Sequence, residues 1–180
     1  MSNLKDLKDQ EGLAKMLVDK FEGTIDSESN FELRNTDRID IAQIKAEEYL
    51  TSKSIVFKNI GFDSKDDRIP SAMWFKVPTF LRCMPDMLVY INNDISFLEV
   101  KGCRLGVNFK IDDLHEYNLW NGIAPVRFFV YSKMLDKKWV MNLHDIWNRL
   151  DKGEFGKYED NGKIYVKIDC EVLTGEGFER

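Results

Sequence analysis

Pro85-Asp86 and Glu99-Val100-Lys101 are the residues whose types and spacing could do chemistry. The segment between them, Met87 to Leu98, reads as two strands joined by a polar turn, because Asn and Asp tolerate the left-handed backbone that two-residue hairpin loops need. With Asn93-Asp94 as the loop, Asp86 lies opposite Lys101; with Asn92-Asn93, it lies opposite Glu99. Either register puts Asp86, Glu99 and Lys101 on one sheet face, since side chains alternate with period 2 and paired residues point the same way. A three-residue loop would break that parity. Two carboxylates and an ammonium converging at the end of a hairpin suit a divalent cation with a positive group beside it, and carboxylate oxygens are the hard ligands that Mg²⁺ or Mn²⁺ accepts. The chemistry expected of such a trio is phosphodiester hydrolysis. Metal ions polarise phosphoryl oxygens and generate hydroxide at neutral pH. Lys101, roughly 6–7 Å along the strand from Glu99, would hold the attacking water or the phosphate.

The residues Pro85-Asp86…Glu99-Val100-Lys101 resemble the PD-(D/E)XK nuclease superfamily, whose restriction-endonuclease-like and Holliday-junction-resolvase-like members have the nearest shape. The resemblance implies an α/β fold in α-βββ-α-β order, a central mixed sheet flanked by helices. Matching elements run from about Ile39 to Lys133. It also implies a metal-dependent nuclease with Asp86 and Glu99 as ligands, the Val100 carbonyl as a third oxygen and Lys101 as the catalytic lysine. DNA is the expected substrate class, ahead of RNA. A catalytically silent nuclease-fold module, serving nucleic-acid binding or assembly, is the alternative. Relatives often carry a further acid on the first helix. By spacing to Tyr49-Leu50 that position is Gln43 here, an amide and a weaker ligand. Either Gln43 or Glu48, which lies on the inward stripe of the helix, is expected to face the site, Glu48 as a ligand and Gln43 toward substrate, while Glu47 and Asp40 point to solvent. After the hairpin, Arg104 and Lys110 are candidate phosphate contacts. His115 has an unperturbed pKa near neutrality that would suit proton transfer, with helix packing as its competing role. Tyr117 is expected to be structural.

The elements that must position these residues follow from pattern. A helix is expected from Ile39 to Ser52 with Ile41, Ile44 and Glu48 on its inward stripe, then a strand over Ser54–Phe62. Residues 63–84 form a long connection holding Met73-Trp74-Phe75-Lys76, expected to cover the core, with stacking on bases as the alternative. Gly102 to Phe109 reads as a turn. Asp112 or Asp113 caps a helix running through Leu114, Tyr117 and Trp120 to Gly122. Strands follow at Pro125–Tyr131, Lys138–Leu143 and Lys163–Cys170, with a helix at His144–Leu150. Residues 1–38 are expected to be a helical extension and linker, and 39–180 the nuclease-like domain.

Composition limits the partners. The chain carries a net charge of −5, which disfavours a generic nucleic-acid binder, because non-specific binding needs several phosphate contacts from Lys or Arg. The charge is uneven, however: Arg68, Lys76, Arg82, Lys101, Arg104 and Lys110 outnumber the carboxylates between positions 68 and 110. No apolar run is long enough for a bilayer, and the N-terminus lacks the apolar core of a secretory signal. Cys83, Cys103 and Cys170 show no metal-binding spacing and read as reduced thiols, so a cytoplasmic location is expected. The sequence leaves open whether the working unit is a homodimer.

Overall fold

The computed structural model describes residues 38–61, 76–159, 161–175 and 177–178. The expected N-terminal extension and the Met73-Trp74-Phe75 stretch lie outside the described residues.

Helix α1, Arg38–Ser52, presents Ala42, Ala46 and Leu50 to the sheet. These positions recur every four residues, and two alanines let the helix backbone lie close to its partner strands. It ends at Ser52, and Ser54, two residues on, takes a left-handed φ of 55° that stops propagation. The inward stripe therefore differs from the expected one. Ile44 is exposed, and Glu48 lies about half a turn from the Ala42–Ala46–Leu50 face.

Five strands form the central sheet: β1 Val56–Asn59, β2 Met87–Ile91, β3 Asp94–Cys103, β5 Val126–Ser132 and β6 Lys137–Asn142, in the order β1-β2-β3-β5-β6. Among the described residues only β3 and β5 run parallel, so the sheet is mixed. Between them the chain makes β4, Gly106–Lys110, and helix α3, Ile111–Asn121. A short helix α2, Thr79–Arg82, precedes the site, and its Phe80 stacks on Trp120 of α3 at 4.3 Å. The chain then forms helix α4 Leu143–Trp147, strand β7 Glu154–Lys157 and strand β8 Ile164–Asp169, with short 3-10 turns at Leu150–Lys152 and Cys170–Val172. A second, three-stranded sheet has the order β4-β8-β7. Among the described residues no helix is long and apolar enough to cross a membrane.

The sheet separates two cores. On the α1 side Met87, Val89, Leu98, Val100, Phe129 and Tyr131 pack against the helix. On the other side Phe97, Val126, Phe128 and Val130 meet Leu114, Tyr117 and Trp120 of α3 and the inner face of the second sheet. The expected turn at Gly102–Phe109 is replaced by the end of β3 and all of β4 but its last residue: Val107 and Phe109 alternate inward, and the second sheet pairs that strand with β8. The thiols of Cys103 and Cys170 lie 3.5 Å apart in this core, both with pKa values pushed up by burial first and so protonated.

Candidate active site

The hairpin fixes the register. Asn92 and Asn93 both adopt positive φ, 52° and 66°, as a left-handed two-residue turn requires. Met87 pairs with Leu98 and Ile91 with Asp94, so continuing the ladder by one residue sets Asp86 opposite Glu99. Leu98 and Val100 face α1; Glu99 and Lys101 therefore face α3, together with Asp86.

Asp86 is pinned at both ends. Its carbonyl accepts from the amides of Ile60 and Gly61 at 2.9 and 3.1 Å, and its Oδ2 accepts from the Val100 amide at 2.7 Å. Gly61 has a further reason to lack a side chain, since a Cβ there would meet the Asp86 Cα at 3.1 Å. Glu99 is only 5% exposed. Burying a carboxylate in a protein interior costs on the order of several kcal/mol unless charges and donors surround it. Two groups do so. The Lys101 Nζ stands 2.5 Å from Oε1, and the buried Tyr117 phenol lies beside Glu99. Tyr117 is wedged against Phe128 at 5.4 Å, and the Lys101 ammonium lies 5.9 Å from its ring centroid.

The protonation states follow from these neighbours. Burial by itself lowers the pKa of Lys101, but the charges of Glu99, Asp113 and Asp86 outweigh it and hold the ammonium above the ordinary lysine value. Burial, then Glu99 and Asp113, pushes the Tyr117 phenol well above its usual value, so it remains a donor. Cys83, beside Asp113, is pushed up to about 12 by burial first and carries no charge at neutral pH.

A small cleft opens next to the trio. Lys101, Asn108, Lys110, Asp113 and Tyr117 line it over Phe109 and Leu114. The structure thus brings Asp86, Glu99, Val100 and Lys101 together, with Lys110 at the edge. It does not bring Glu48, which is exposed on the far side of α1 and bound to Lys45 at 2.9 Å. Gln43 lies on the flank of α1 and points its amide at Asn59 of β1, 3.3 Å away, while Asn59 donates to Glu47 at 3.0 Å. Glu47, expected in solvent, is thus part of this polar cluster. Arg104 is exposed beyond the end of β3 and outside the cleft lining; its carbonyl accepts from Ser132 Oγ. His115 packs its ring on Trp147 at 5.5 Å, the packing role.

Asp112 and Asp113 sit in the first turn of α3, whose N-cap is Lys110, so neither caps the helix. Tyr117 and Asp113 are the site residues that sequence reasoning assigned elsewhere. They are four apart on one helix face, a spacing that marks neighbours but does not say what they meet.

Among the described residues no three His, Cys, Asp or Glu side chains converge as a metal cage would require. Two carboxylates and a main-chain carbonyl are nevertheless oxygen donors of the kind Mg²⁺ takes, since it commonly binds through one or two carboxylates and keeps several waters.

No protein-family model matches the chain, and no curated protein matches it. One solved structure similar to it is D212, a nuclease from a fusselovirus, at 10% identity and a TM-score of 0.40, covering 74% of this chain and 80% of that one. A likeness that distant carries no argument about chemistry, which has to come from the side chains.

Proposed function

We propose that this protein is a divalent-metal-dependent nuclease that hydrolyses phosphodiester bonds, with DNA as the expected substrate. The observation that supports it is the convergence of Asp86, buried Glu99 and Lys101 on one face, with the Asp86 carboxylate fixed by the Val100 amide. Burying a carboxylate–ammonium pair is a poor way to gain stability, so its presence beside a cleft is better explained by chemistry.

In this reading Asp86, Glu99 and the Val100 carbonyl hold Mg²⁺ or Mn²⁺, which when bound supplies Lewis acidity and a more acidic water. The Val100 amide and Tyr117 orient the two carboxylates before substrate arrives, so little reorganisation is needed. Lys101 stays protonated, which suits it to hold a phosphate oxygen and offset charge developing there, and does not suit it to abstract a proton. Gel assays offering linear, circular, single-stranded and branched DNA, and RNA, with Mg²⁺ or Mn²⁺ test this directly. Cleavage by wild type that Asp86→Ala and Lys101→Ala abolish is expected. Cleavage surviving both substitutions would overturn it.

A second reading has its own observation in favour: Glu48 and Gln43 bring no further acid to the pair. That suits a nuclease-like module that binds nucleic acid without cutting. Titration calorimetry with Mn²⁺ separates the two, since the nuclease reading requires binding that Asp86→Ala removes.

A further inference from the structure

Two lysines at one end of the second sheet meet beside the cleft, over Asp113. Lys110 closes β4 opposite Tyr165 of β8, and Lys163, two residues before Tyr165, projects on the same outer face. Lys163 is held by its turn: its amide donates to Asn161 Oδ1 at 3.0 Å and its carbonyl accepts from the Tyr158 amide at 3.0 Å. Lys110 rests with its Nζ 5.8 Å from the Tyr158 ring centroid.

Both ammoniums come down on one carboxylate. Lys110 Nζ is 3.9 Å from Asp113 Oδ2, and Lys163 Nζ is 3.8 Å from Oδ1. Charge-assisted hydrogen bonds run to about 2.7–2.9 Å, so Asp113 neutralises the pair at a distance without bonding either lysine closely. The lysine side chains are 33% and 37% exposed, and that of Asp113 18%, so the cations stand at the mouth and the carboxylate beneath them. Lys101, Lys110 and Lys163 balance Asp86, Glu99 and Asp113, which leaves this cluster neutral as it stands. A divalent cation on Asp86 and Glu99 would make it positive.

We propose that Lys110 and Lys163 form a phosphate clamp for a nucleic-acid strand entering the site, and that Asp113 is the counter-ion occupying the clamp until a phosphodiester replaces it. This rests on the nuclease reading. Two ammoniums are point charges without a fixed fork, which suits contact with backbone phosphate and carries no base preference.

The test is fluorescence anisotropy with labelled single-stranded DNA, duplex DNA and single-stranded RNA, in Ca²⁺ over a salt series. Lys163→Ala and Lys110→Ala should each flatten the dependence of log K on log salt by about 0.7–0.9 per lost phosphate contact, and Lys163→Arg should restore the slope. Asp113→Asn should tighten binding roughly fivefold, the effect of one unit charge at about 4 Å in water. Thermal melting verifies that each variant is folded. Wild-type binding whose slope neither lysine variant changes, with no tightening in Asp113→Asn, overturns the clamp and leaves the nuclease reading standing. Altered slopes in a protein that cuts nothing keep the clamp and overturn the nuclease. No binding to any of the three probes overturns the clamp and leaves the nuclease reading to its cleavage assay.

Discussion

The two faces of β3 treat the same strand in opposite ways. Leu98 and Val100 point to α1 into a dry layer built with Ala42, Ala46, Leu50 and Phe129. Glu99 and Lys101, one residue out of phase, point to α3, where a carboxylate, an ammonium and a phenol interrupt the apolar packing. One face holds the fold together and the other tolerates a buried charge. The difference teaches that period-2 alternation lets a single strand serve stability and chemistry at once, provided its register is fixed.

The largest effect should fall on the dry face. Leu98 is fully buried, and Leu98→Ala should cost about 2–5 kcal/mol in urea unfolding, from lost transfer energy and the cavity left behind. A loss below about 1 kcal/mol would mean that α1 collapses onto the gap and that this face is not the tightly packed one.

Next comes the charged face. Lys101→Ala leaves Glu99 with Tyr117 but without its cation. Removing one partner of a buried pair is costly, though the Lys101 side chain is 27% exposed and water can reach the vacated space. About 1–3 kcal/mol of stability should be lost, together with cleavage. A variant as stable as wild type would show that Glu99 does not depend on the lysine, and that the two faces differ less than their contacts suggest.

Tyr117→Phe removes the phenol oxygen beside Glu99 while keeping the ring against Phe128. Its loss should be about 1–2 kcal/mol, and Mn²⁺ affinity by calorimetry should fall if the phenol orients Glu99. Unchanged stability and unchanged affinity together would reduce Tyr117 to packing.

How much of this was legible in sequence depends on which physical rule governs each residue. The convergence of Asp86, Glu99 and Lys101 follows from strand parity, a rule that needs only the turn, and Asn92-Asn93 supplied it. The α1 stripe misled, because large apolar residues suggest an inward face, whereas close packing on a sheet favoured alanines and left Ile44 at 52% exposure. Two glycines hid the alternation of Val107 and Phe109, so β4 read as a turn. Strand β7 has one apolar side chain, Phe155, too little for a pattern. Tyr117, Asp113 and Lys163 join the site through contacts between distant segments, and local periodicity does not encode those.

The smallest effect tests what assigns the faces in the first place. Asn93 sits at φ 66° and its Oδ1 accepts from the Tyr90 hydroxyl at 3.2 Å on the surface. Glycine reaches that backbone region without a Cβ penalty but gives up the exposed hydrogen bond and adds freedom to the unfolded chain. These terms oppose one another, so Asn93→Gly should shift stability by less than about 0.5 kcal/mol. Asn93→Ala has no such relief and should cost about 1 kcal/mol, the penalty for holding an ordinary L-residue in the left-handed region. If alanine and glycine prove equally stable there, the left-handed turn is not what sets the register. The division of β3 into a packed face and a chemical face would then have to be enforced by the cores on either side.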